Sequence, residues 1–182
     1  MSRLRNALRR DVRSRGLLGI REAAQKDKDL RFRNLFIHLT IELLTMSFFE
    51  LKKFASLGID GEMWHEYLQD VEHRIKDLHE RIHRGRYRAQ TSRRIYIANV
   101  DGKQRPLGVA VLEDEIVQRA TRTIFEQIYE ASFQGFSYTH RPNRGTHGGL
   151  GALVVAIKRR NVNWILDADI REVSLITSTI HG

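Results

Sequence analysis

Two carboxylates separated by one residue lie near the end of the chain, at Asp167 and Asp169. The segment around them, 162–170, alternates with the two-residue period of a β-strand, so both carboxylates lie on one face, about 6.5–7 Å apart. Carboxylate oxygens are preferred ligands of Mg²⁺, but a two-metal phosphoryl-transfer site needs further carboxylates from elsewhere in the fold. From this segment alone, a strand end with two acids facing water is the simpler interpretation.

A second group of residues that could bind a ligand is a run of arginines interrupted by Tyr87. The run contains no acidic residue, and its arginines are Arg81, Arg84, Arg86, Arg88, Arg93 and Arg94. Arginine makes bidentate contacts with phosphate and an aromatic ring can stack on a base, so this run predicts binding of RNA or single-stranded DNA. The alternative is a solvated basic loop, because charge runs often serve solubility alone.

The composition favours a nucleic acid. The chain of 182 residues has 31 Lys and Arg against 22 Asp and Glu, a net charge of +9, which suits a polyanionic partner. It has no cysteine, which excludes disulfides and Cys-based zinc sites and fits a reducing compartment. No apolar run is long enough for a bilayer, so we expect no membrane association and a cytoplasmic location; the Arg-rich start makes an organelle the alternative.

Helices precede the arginine run. Residues 1–30 have the pattern of a basic, weakly amphipathic helix or arm, and 32–54 that of one or two buried helices. The clearest amphipathic helix is predicted over 62–84, where apolar residues recur every three or four positions and Gly85 follows as a C-terminal signal. His79 and His83 are four residues apart on it, a spacing that could bind a metal, but solvent-exposed histidines are the favoured interpretation.

A hairpin follows the run. Asp101-Gly102 between two β-favouring segments predicts a hairpin over 94–109. A second amphipathic helix is predicted over 112–129, a loop over 132–149, and a third helix around 150–157, before the acidic strand. No repeat or flexible linker divides the chain into independent domains.

Taken in order, these segments resemble the N-terminal part of the reverse transcriptases encoded by group II introns, the intron reverse transcriptase/maturase family. The resemblance covers about 32–171 and rests on the stretches GIDG at 58–61, RIHRGRYRA at 81–89, RRIYIANVDGKQRPLGVAVLEDEIVQRA at 93–120, SFQGFSYTHRPNRGTH at 132–147 and VNWILDADIR at 162–171. It implies an α+β fold, namely the fingers of a right-hand polymerase, mostly helical with a small β-hairpin, and the first palm strand. The implied regions are a basic N-terminal helix or arm at 1–30, fingers at 31–161, the palm strand at 162–171 and a tail outside the family pattern at 172–182.

The resemblance also implies roles for individual residues. Asp169 falls on the family's first catalytic, metal-binding aspartate, and Ile170 beside it contributes its carbonyl to the metal, which implies Mg²⁺ as the cofactor. Arg105 falls on the fingers arginine that contacts the triphosphate of the incoming dNTP. Lys103 partly substitutes for a family lysine whose position is Asn99 here. The implied partners are an RNA template or intron RNA and a DNA primer. The residues assigned to nucleic-acid binding are Arg84, Arg86, Arg88, Arg93 and Arg94.

The chain departs from the family after Arg171. The family continues with Gly-Phe-Phe-Asp, and an Asp-Asp pair on a later palm strand completes its site, whereas this chain continues with Glu172 and reaches Gly182. By family it is an RNA-directed DNA polymerase, a nucleotidyltransferase, but we expect the truncated chain alone to be inactive. The alternatives are a non-catalytic RNA-binding or splicing-assistance fragment of maturase type, and a decayed, inactive gene product. The residues specify no oligomeric state.

The tail has a possible genetic origin. Codons can be chosen for 172–182 so that a shifted reading frame encodes Gly-Phe-Phe-Asp and an Asn-His pair, as in the family. We therefore hypothesise a frameshift and expect a poorly ordered tail. Sequencing the locus tests this, because actual codons that encode no Gly-Phe-Phe-Asp in either alternative frame would exclude it.

Overall fold

The computed structural model describes residues 16–98, 102, 104–138, 141, 143–159, 164 and 166. Its elements, in chain order, are helix α1 (Gly16–Lys26), a 3₁₀ helix (Leu35–His38), helices α2 (Ile41–Glu50), α3 (Trp64–Gln69) and α4 (Val71–His83), strands β1 (Arg93–Ala98) and β2 (Gln104–Val109), and helices α5 (Leu112–Ser132) and α6 (Thr146–Arg159). The chain forms two compact units, Met1–Phe133 and Gln134–Gly182. Helices predominate and β1 pairs with β2, which agrees with the predicted α+β class. None of the helices in the described residues is long and apolar enough to cross a membrane.

Helix α5 is central to the first unit, because α1 and α2 both pack against it and α4 packs against α2. Apolar residues recur every three or four positions in these helices, so each has an apolar face to bury. The apolar side chains without any exposed surface are Leu43, Leu44, Phe48, Tyr67, Ile75, Leu78, Ile116 and Ala120. Fully burying one such aliphatic side chain contributes about 1.5–3 kcal/mol, so this cluster is the main source of the unit's stability.

Helix α1 contributes to that core. Of the helix or arm predicted over 1–30, the structure describes a helix from Gly16 to Lys26 whose Leu17, Ile20 and Ala24 are buried. These residues follow helical spacing on the face that meets α5. Residues 1–15 lie outside the described part of the chain.

The helix predicted over 62–84 is in fact two helices, and the prediction of one was wrong. Asp70 separates α3 from α4 with φ −132° and ψ 37°, outside the helical region. The apolar spacing continues through the break, from Tyr67 to Ile75, so periodicity did not reveal it. Aspartate is unfavourable inside a helix and common where one begins, which was the available local signal.

Aromatic packing joins α3 to α2. The rings of Phe48 and Trp64 are stacked, with centroids 4.8 Å apart and planes inclined by 5°. The indole Nε1 of Trp64 donates a hydrogen bond to the backbone oxygen of Phe48 at 3.2 Å, so its one polar atom is satisfied in the core.

The loop before α3 lies directly against the residues that lead into α5. A Cβ at Gly58 would lie 2.6 Å from the Cα of Val111 and 2.9 Å from the oxygen of Ala110. Both are backbone atoms, so the close approach requires glycine at this position.

The predicted hairpin is confirmed. Strands β1 and β2 are antiparallel, with Arg93 opposite Val109, Ile97 opposite Arg105 and Ala98 opposite Gln104. Directly opposed residues share a face of the ribbon, so this register decides which hairpin side chains can act together.

In the second unit, an arginine organises the loop that precedes α6. Arg141 donates hydrogen bonds to the backbone oxygens of Gln134, at 3.0 Å, and Ser137, at 3.1 Å. Arg144 bonds to the backbone oxygen of Gly135. These contacts connect Arg141 and Arg144 to residues 134–137, earlier in the same segment.

Helix α6 begins at Thr146, so the loop predicted over 132–149 is shorter than expected. Gly148 and Gly149 at its start face the ring of Tyr138, with 3.4 Å between that ring and a Cβ built at Gly149. The two glycines predicted a loop in the sequence, but they lie in the first turn of α6, where they pack on the Tyr138 ring. The apolar residues of α6 are 41–55% exposed, namely Leu150, Leu153, Val154, Val155 and Ile157.

Candidate nucleic-acid interface

The predicted catalytic residue Asp169 and the predicted metal ligand Ile170 lie outside the described residues, as do Asp167, Lys103 and the tail at 172–182. Of the predicted acidic strand, Trp164 and Leu166 are described; both are 91% exposed and neither belongs to a helix or strand. Within the described ranges, no group of three or more His, Asp or Glu side chains could hold a metal ion. The geometry of the candidate site is therefore that of the arginine-rich segment and the hairpin.

The arginine-rich segment begins with a defined helix end. Gly85, with φ 66°, follows the last residues of α4 in the left-handed conformation. Its N–H donates to the oxygen of Ile82 at 3.0 Å, and the N–H of Arg86 donates to the oxygen of Arg81 at 2.8 Å. These two bonds form a Schellman motif, which stops the helix and sets the direction of the residues that follow. The role predicted for Gly85 as a C-terminal signal is confirmed.

An acidic residue at the start of α5 holds the middle of this segment. Asp114 is 3% exposed. Its Oδ1 accepts a hydrogen bond from the hydroxyl of Tyr87, and its Oδ2 accepts one from the backbone N–H of Gln90 at 2.9 Å. We call residues 84–92 the basic loop; both carboxylate oxygens of Asp114 are used to hold it.

The neighbouring acid, Glu113, holds the helix end from which the basic loop departs. Arg81 donates from one terminal nitrogen to both oxygens of Glu113 at 2.9 Å, and its Nε donates to Asp77 at 2.7 Å. The hydroxyl of Tyr67 also donates to Glu113, at 3.4 Å. Arg81 is thus occupied by two carboxylates, although the sequence presents it as the first member of the basic run.

The environment keeps the donors of this network protonated. Burial, followed by the hydrogen bond to Asp114 and its charge, raises the pKa of Tyr87 above its ordinary value. Burial and the charge of Glu113 do the same to the pKa of Tyr67. Burial alone would lower the pKa of Arg81, but its hydrogen bonds to Glu113 and Asp77 raise it. The network therefore keeps its donors across the physiological pH range.

The three arginines of the basic loop all face solvent. Arg86 forms no side-chain hydrogen bond or ion pair with any described residue. Arg88 donates from one terminal nitrogen to the backbone oxygens of Gly85 and Tyr87, at 3.0 and 2.9 Å, while its side chain remains exposed. Arg84 pairs with Glu80 at 3.1 Å, but both side chains are about 60% exposed, and such a surface pair is weak.

The two remaining predicted arginines, Arg93 and Arg94, lie on strand β1 of the hairpin. Successive side chains of a strand point to opposite faces, so Arg93 and Arg94 lie on different faces of the ribbon. Arg93 lies on the same face of the ribbon as Arg105, which is near the other end of the hairpin. All three are exposed. The five arginines assigned to nucleic-acid binding therefore do not form one flat patch.

A cavity of about 370 Å³ lies elsewhere in the first unit, between the residues before α3 and the start of α5. Two consecutive lysines, Lys52 and Lys53, are among its lining residues, and the Nζ of Lys53 is 5.1 Å from the centre of the Trp64 ring. Burial raises the pKa of Glu115, which also lines the cavity. No sequence pattern predicted this cavity; its local signal was a lysine pair next to glycine-containing turns.

Comparisons with known proteins agree with the resemblance seen in the motifs. The chain is 37% identical to the group II intron-encoded protein LtrA of Lactococcus lactis subsp. cremoris over 103 residues, which is 55% of this chain and 16% of that protein. It is 32% identical to protein YkfC of Escherichia coli over 110 residues, 59% of this chain and 28% of YkfC. It is 34% identical to an uncharacterized 91 kDa protein in the cob intron of Schizosaccharomyces pombe over 79 residues, 43% of this chain and 10% of that protein.

The similar region is a minor part of each of these relatives, 28% of the length or less. No protein-family profile matches the chain. The similarity nevertheless extends over about half of the chain and recurs among intron-encoded proteins of bacterial and fungal origin. This similarity to intron-encoded proteins supports the resemblance of the chain to the group II intron reverse transcriptase/maturase family.

Proposed function

We propose that this chain is the fingers portion of an RNA-directed DNA polymerase of the group II intron type, and that it binds RNA through the basic loop. The observation that carries the proposal is the conformation of that loop. Arg84, Arg86 and Arg88 face solvent, while Tyr87 between them is held inward by a buried carboxylate. An RNA backbone would thus meet three exposed arginine side chains, and that of Arg86 has no partner among the described residues.

The physical basis for RNA binding is charge neutralisation of phosphates. The net charge of +9 gives the chain a long-range attraction for a polyanion. Guanidinium groups add bidentate contacts with phosphate oxygens, which an exposed loop can present along a strand. Phosphate contacts of this kind position the nucleic acid without reading its sequence. The partner we propose is therefore intron or template RNA, bound with a strong dependence on salt.

The hairpin is the second part of the proposal. Arg105 on β2 is exposed, and its side chain forms no ion pair with a described residue. An exposed cation on a two-stranded ribbon suits the triphosphate of an incoming dNTP, because phosphoryl transfer requires positioning and neutralisation of that charge. Lys103, in the turn of the same hairpin, would supply a second cation. We extend the nucleic-acid contact to Arg93 and Arg94, which would approach it from different faces of the ribbon.

Catalysis would depend on Asp169, with the carbonyl of Ile170 as a further metal ligand. A carboxylate and a carbonyl oxygen form a donor set suited to Mg²⁺. When bound, the metal would neutralise charge on the transferred phosphoryl group and activate the primer 3′-hydroxyl. Because two-metal sites use several carboxylates, we propose that the 182-residue chain needs further residues to polymerise a DNA strand.

A second function is compatible with the same surface. RNA binding by the basic loop without chemistry would make the chain a splicing-assistance protein of maturase type, and loss of RNA binding would make it an inactive gene product. The structure favours RNA binding over inactivity, because the basic loop is held in a defined conformation.

The test is RNA affinity as a function of salt. A triple variant, Arg84→Ala, Arg86→Ala and Arg88→Ala, is compared with wild type by fluorescence anisotropy on a labelled single-stranded RNA. Each lost phosphate contact should reduce the slope of log affinity against log salt by about 0.7, so we expect a reduction of about 2.

The matched control removes three exposed positive charges elsewhere, with Arg21→Ala, Lys76→Ala and Arg122→Ala. It has the same net charge as the test variant. If both triple variants lost the same affinity and slope, binding would depend on net charge alone and the assignment to the basic loop would be wrong.

A further inference from the structure

The basic loop is held by two neighbouring acids in the first turn of α5. Glu113 binds Arg81, at the helix end from which the loop departs, and Asp114 binds Tyr87 and Gln90 in its middle. Arg81 and Glu113 are 32 positions apart in the sequence. Tyr87 and Gln90 are 27 and 24 positions from Asp114. The loop conformation is therefore imposed by a distant helix and is not a local property of the arginine-rich sequence.

The burial of Asp114 is costly. The side chain is 3% exposed and forms no ion pair with any described residue. A buried carboxylate without a cationic partner is unfavourable unless hydrogen bonds replace its hydration. Here the two bonds from the loop supply that replacement, and the partial positive charge of the α5 N-terminus assists.

Tyr87 lies inward between two exposed arginines. Arg86 and Arg88 are exposed and Tyr87 is half-buried, so side chains alternate between solvent and protein. The backbone at this point is anchored by the N–H groups of Arg86 and Tyr87, which both donate to the oxygen of Arg81. Holding the Tyr87 hydroxyl therefore fixes the position of a residue that lies between two exposed arginines.

We infer that Asp114 is a positioning residue for RNA binding: through Tyr87 and Gln90, it keeps the basic loop ordered before RNA arrives. The inference rests on the proposed function. Asp114 itself does not touch RNA, since it is buried beneath the loop. An ordered loop loses less conformational freedom on binding than a disordered one, so it binds phosphates with higher affinity through the same contacts.

The first experiment tests the order of the loop without RNA. Tyr87→Phe removes the hydroxyl and keeps the ring, and trypsin cleavage after Arg84, Arg86 and Arg88 is followed by mass spectrometry under native conditions. We expect cleavage to be faster than in wild type by about tenfold, because the loop opens locally more often. The control is Tyr129→Phe, an exposed tyrosine on α5. Equal cleavage rates in Tyr87→Phe and wild type would overturn the inference.

The second experiment measures RNA affinity and its salt slope for the same variants. Tyr87→Phe retains every arginine, so we expect affinity to fall about threefold to tenfold while the slope stays at the wild-type value. If the substitution only reduced the amount of folded protein, the fraction of molecules able to bind RNA would fall. Titration at high protein concentration measures that fraction separately. Asp114→Asn provides a graded comparison, because its amide keeps one acceptor oxygen and we expect an intermediate affinity.

The outcomes separate the two proposals. If wild type does not bind RNA, the proposed function fails and this inference fails with it. If wild type binds RNA and Tyr87→Phe binds with the same affinity, the positioning role is wrong while the proposed function stands. A reduced salt slope in Tyr87→Phe would also contradict the inference, because it would mean that phosphate contacts were lost.

Discussion

At the scale of single residues, the candidate site shows that an arginine's neighbours decide its availability. Arg81 and Arg86 are five positions apart in the same basic run, yet Arg81 is bound by Glu113 and Asp77 whereas Arg86 is exposed without a described partner. A guanidinium bound by two carboxylates contributes little to a phosphate site. Substituting Arg81 should therefore affect stability more than RNA contact, because it leaves Glu113 without its main partner.

A histidine pair on α4 predicts how stability depends on pH. The rings of His79 and His83 are 4.2 Å apart, and the Nε2 of His83 is 3.1 Å from the backbone oxygen of Leu39. Burial and then His83 lower the pKa of His79, while Glu42 and Glu80 oppose this. Because the pKa of His79 is lower in the folded state, the unfolded chain binds more protons at this residue just below pH 6.5. The free energy of unfolding should therefore decrease as the pH falls through that value.

Urea unfolding between pH 7.5 and 5 measures this effect. We expect His79→Gln to remove part of the pH dependence, by less than about 1 kcal/mol because the side chain is partly screened by water. His73→Gln is the control, since the His73 side chain is 80% exposed. A pH dependence identical in wild type and His79→Gln would show that other groups cause it.

At the scale of elements, the contact of the loop before α3 with the residues before α5 depends on one glycine. Gly58→Ala would place a Cβ 2.6 Å from the Cα of Val111, so one of the two backbones must move. We expect a loss of about 1–3 kcal/mol in the free energy of unfolding, measured by urea denaturation.

The matched control for that substitution is Gly19→Ala. Gly19 lies within α1 and a Cβ there would have no neighbour within 4 Å. This change should stabilise the helix by about 0.5–1 kcal/mol, because alanine loses less backbone freedom than glycine. If the two variants changed stability by the same amount and sign, the close approach at Gly58 would not be a constraint in solution.

At the scale of the whole molecule, we predict RNA binding without polymerisation by the 182-residue chain. The described residues hold no cluster of carboxylates for a metal, and the proposed Asp169 site needs additional ligands. Primer extension on an RNA template with Mg²⁺ and all four dNTPs should show no product above background. Templated incorporation that disappears in Asp169→Ala would contradict this prediction and would assign the catalytic role to Asp169 in this chain.

The sequence alone determined the features that depend on short-range chemistry. Gly85 marked the end of α4, Asp101-Gly102 marked the hairpin, and apolar spacing located α5 within three residues of its end. These signals are reliable because a positive φ, a short hairpin connection and one apolar helix face involve residues that are close in the chain.

Only the tertiary structure decided how the basic residues are used. Periodicity gave no sign of the break at Asp70, because the apolar face continues across it. No local pattern indicated that Glu113 would bind Arg81 or that Asp114 would lie buried under Tyr87. The physical reason is that such partners, 27 to 32 positions apart, meet only after α4 and α5 have joined the same core, and that packing selects which charges are paired and which face solvent.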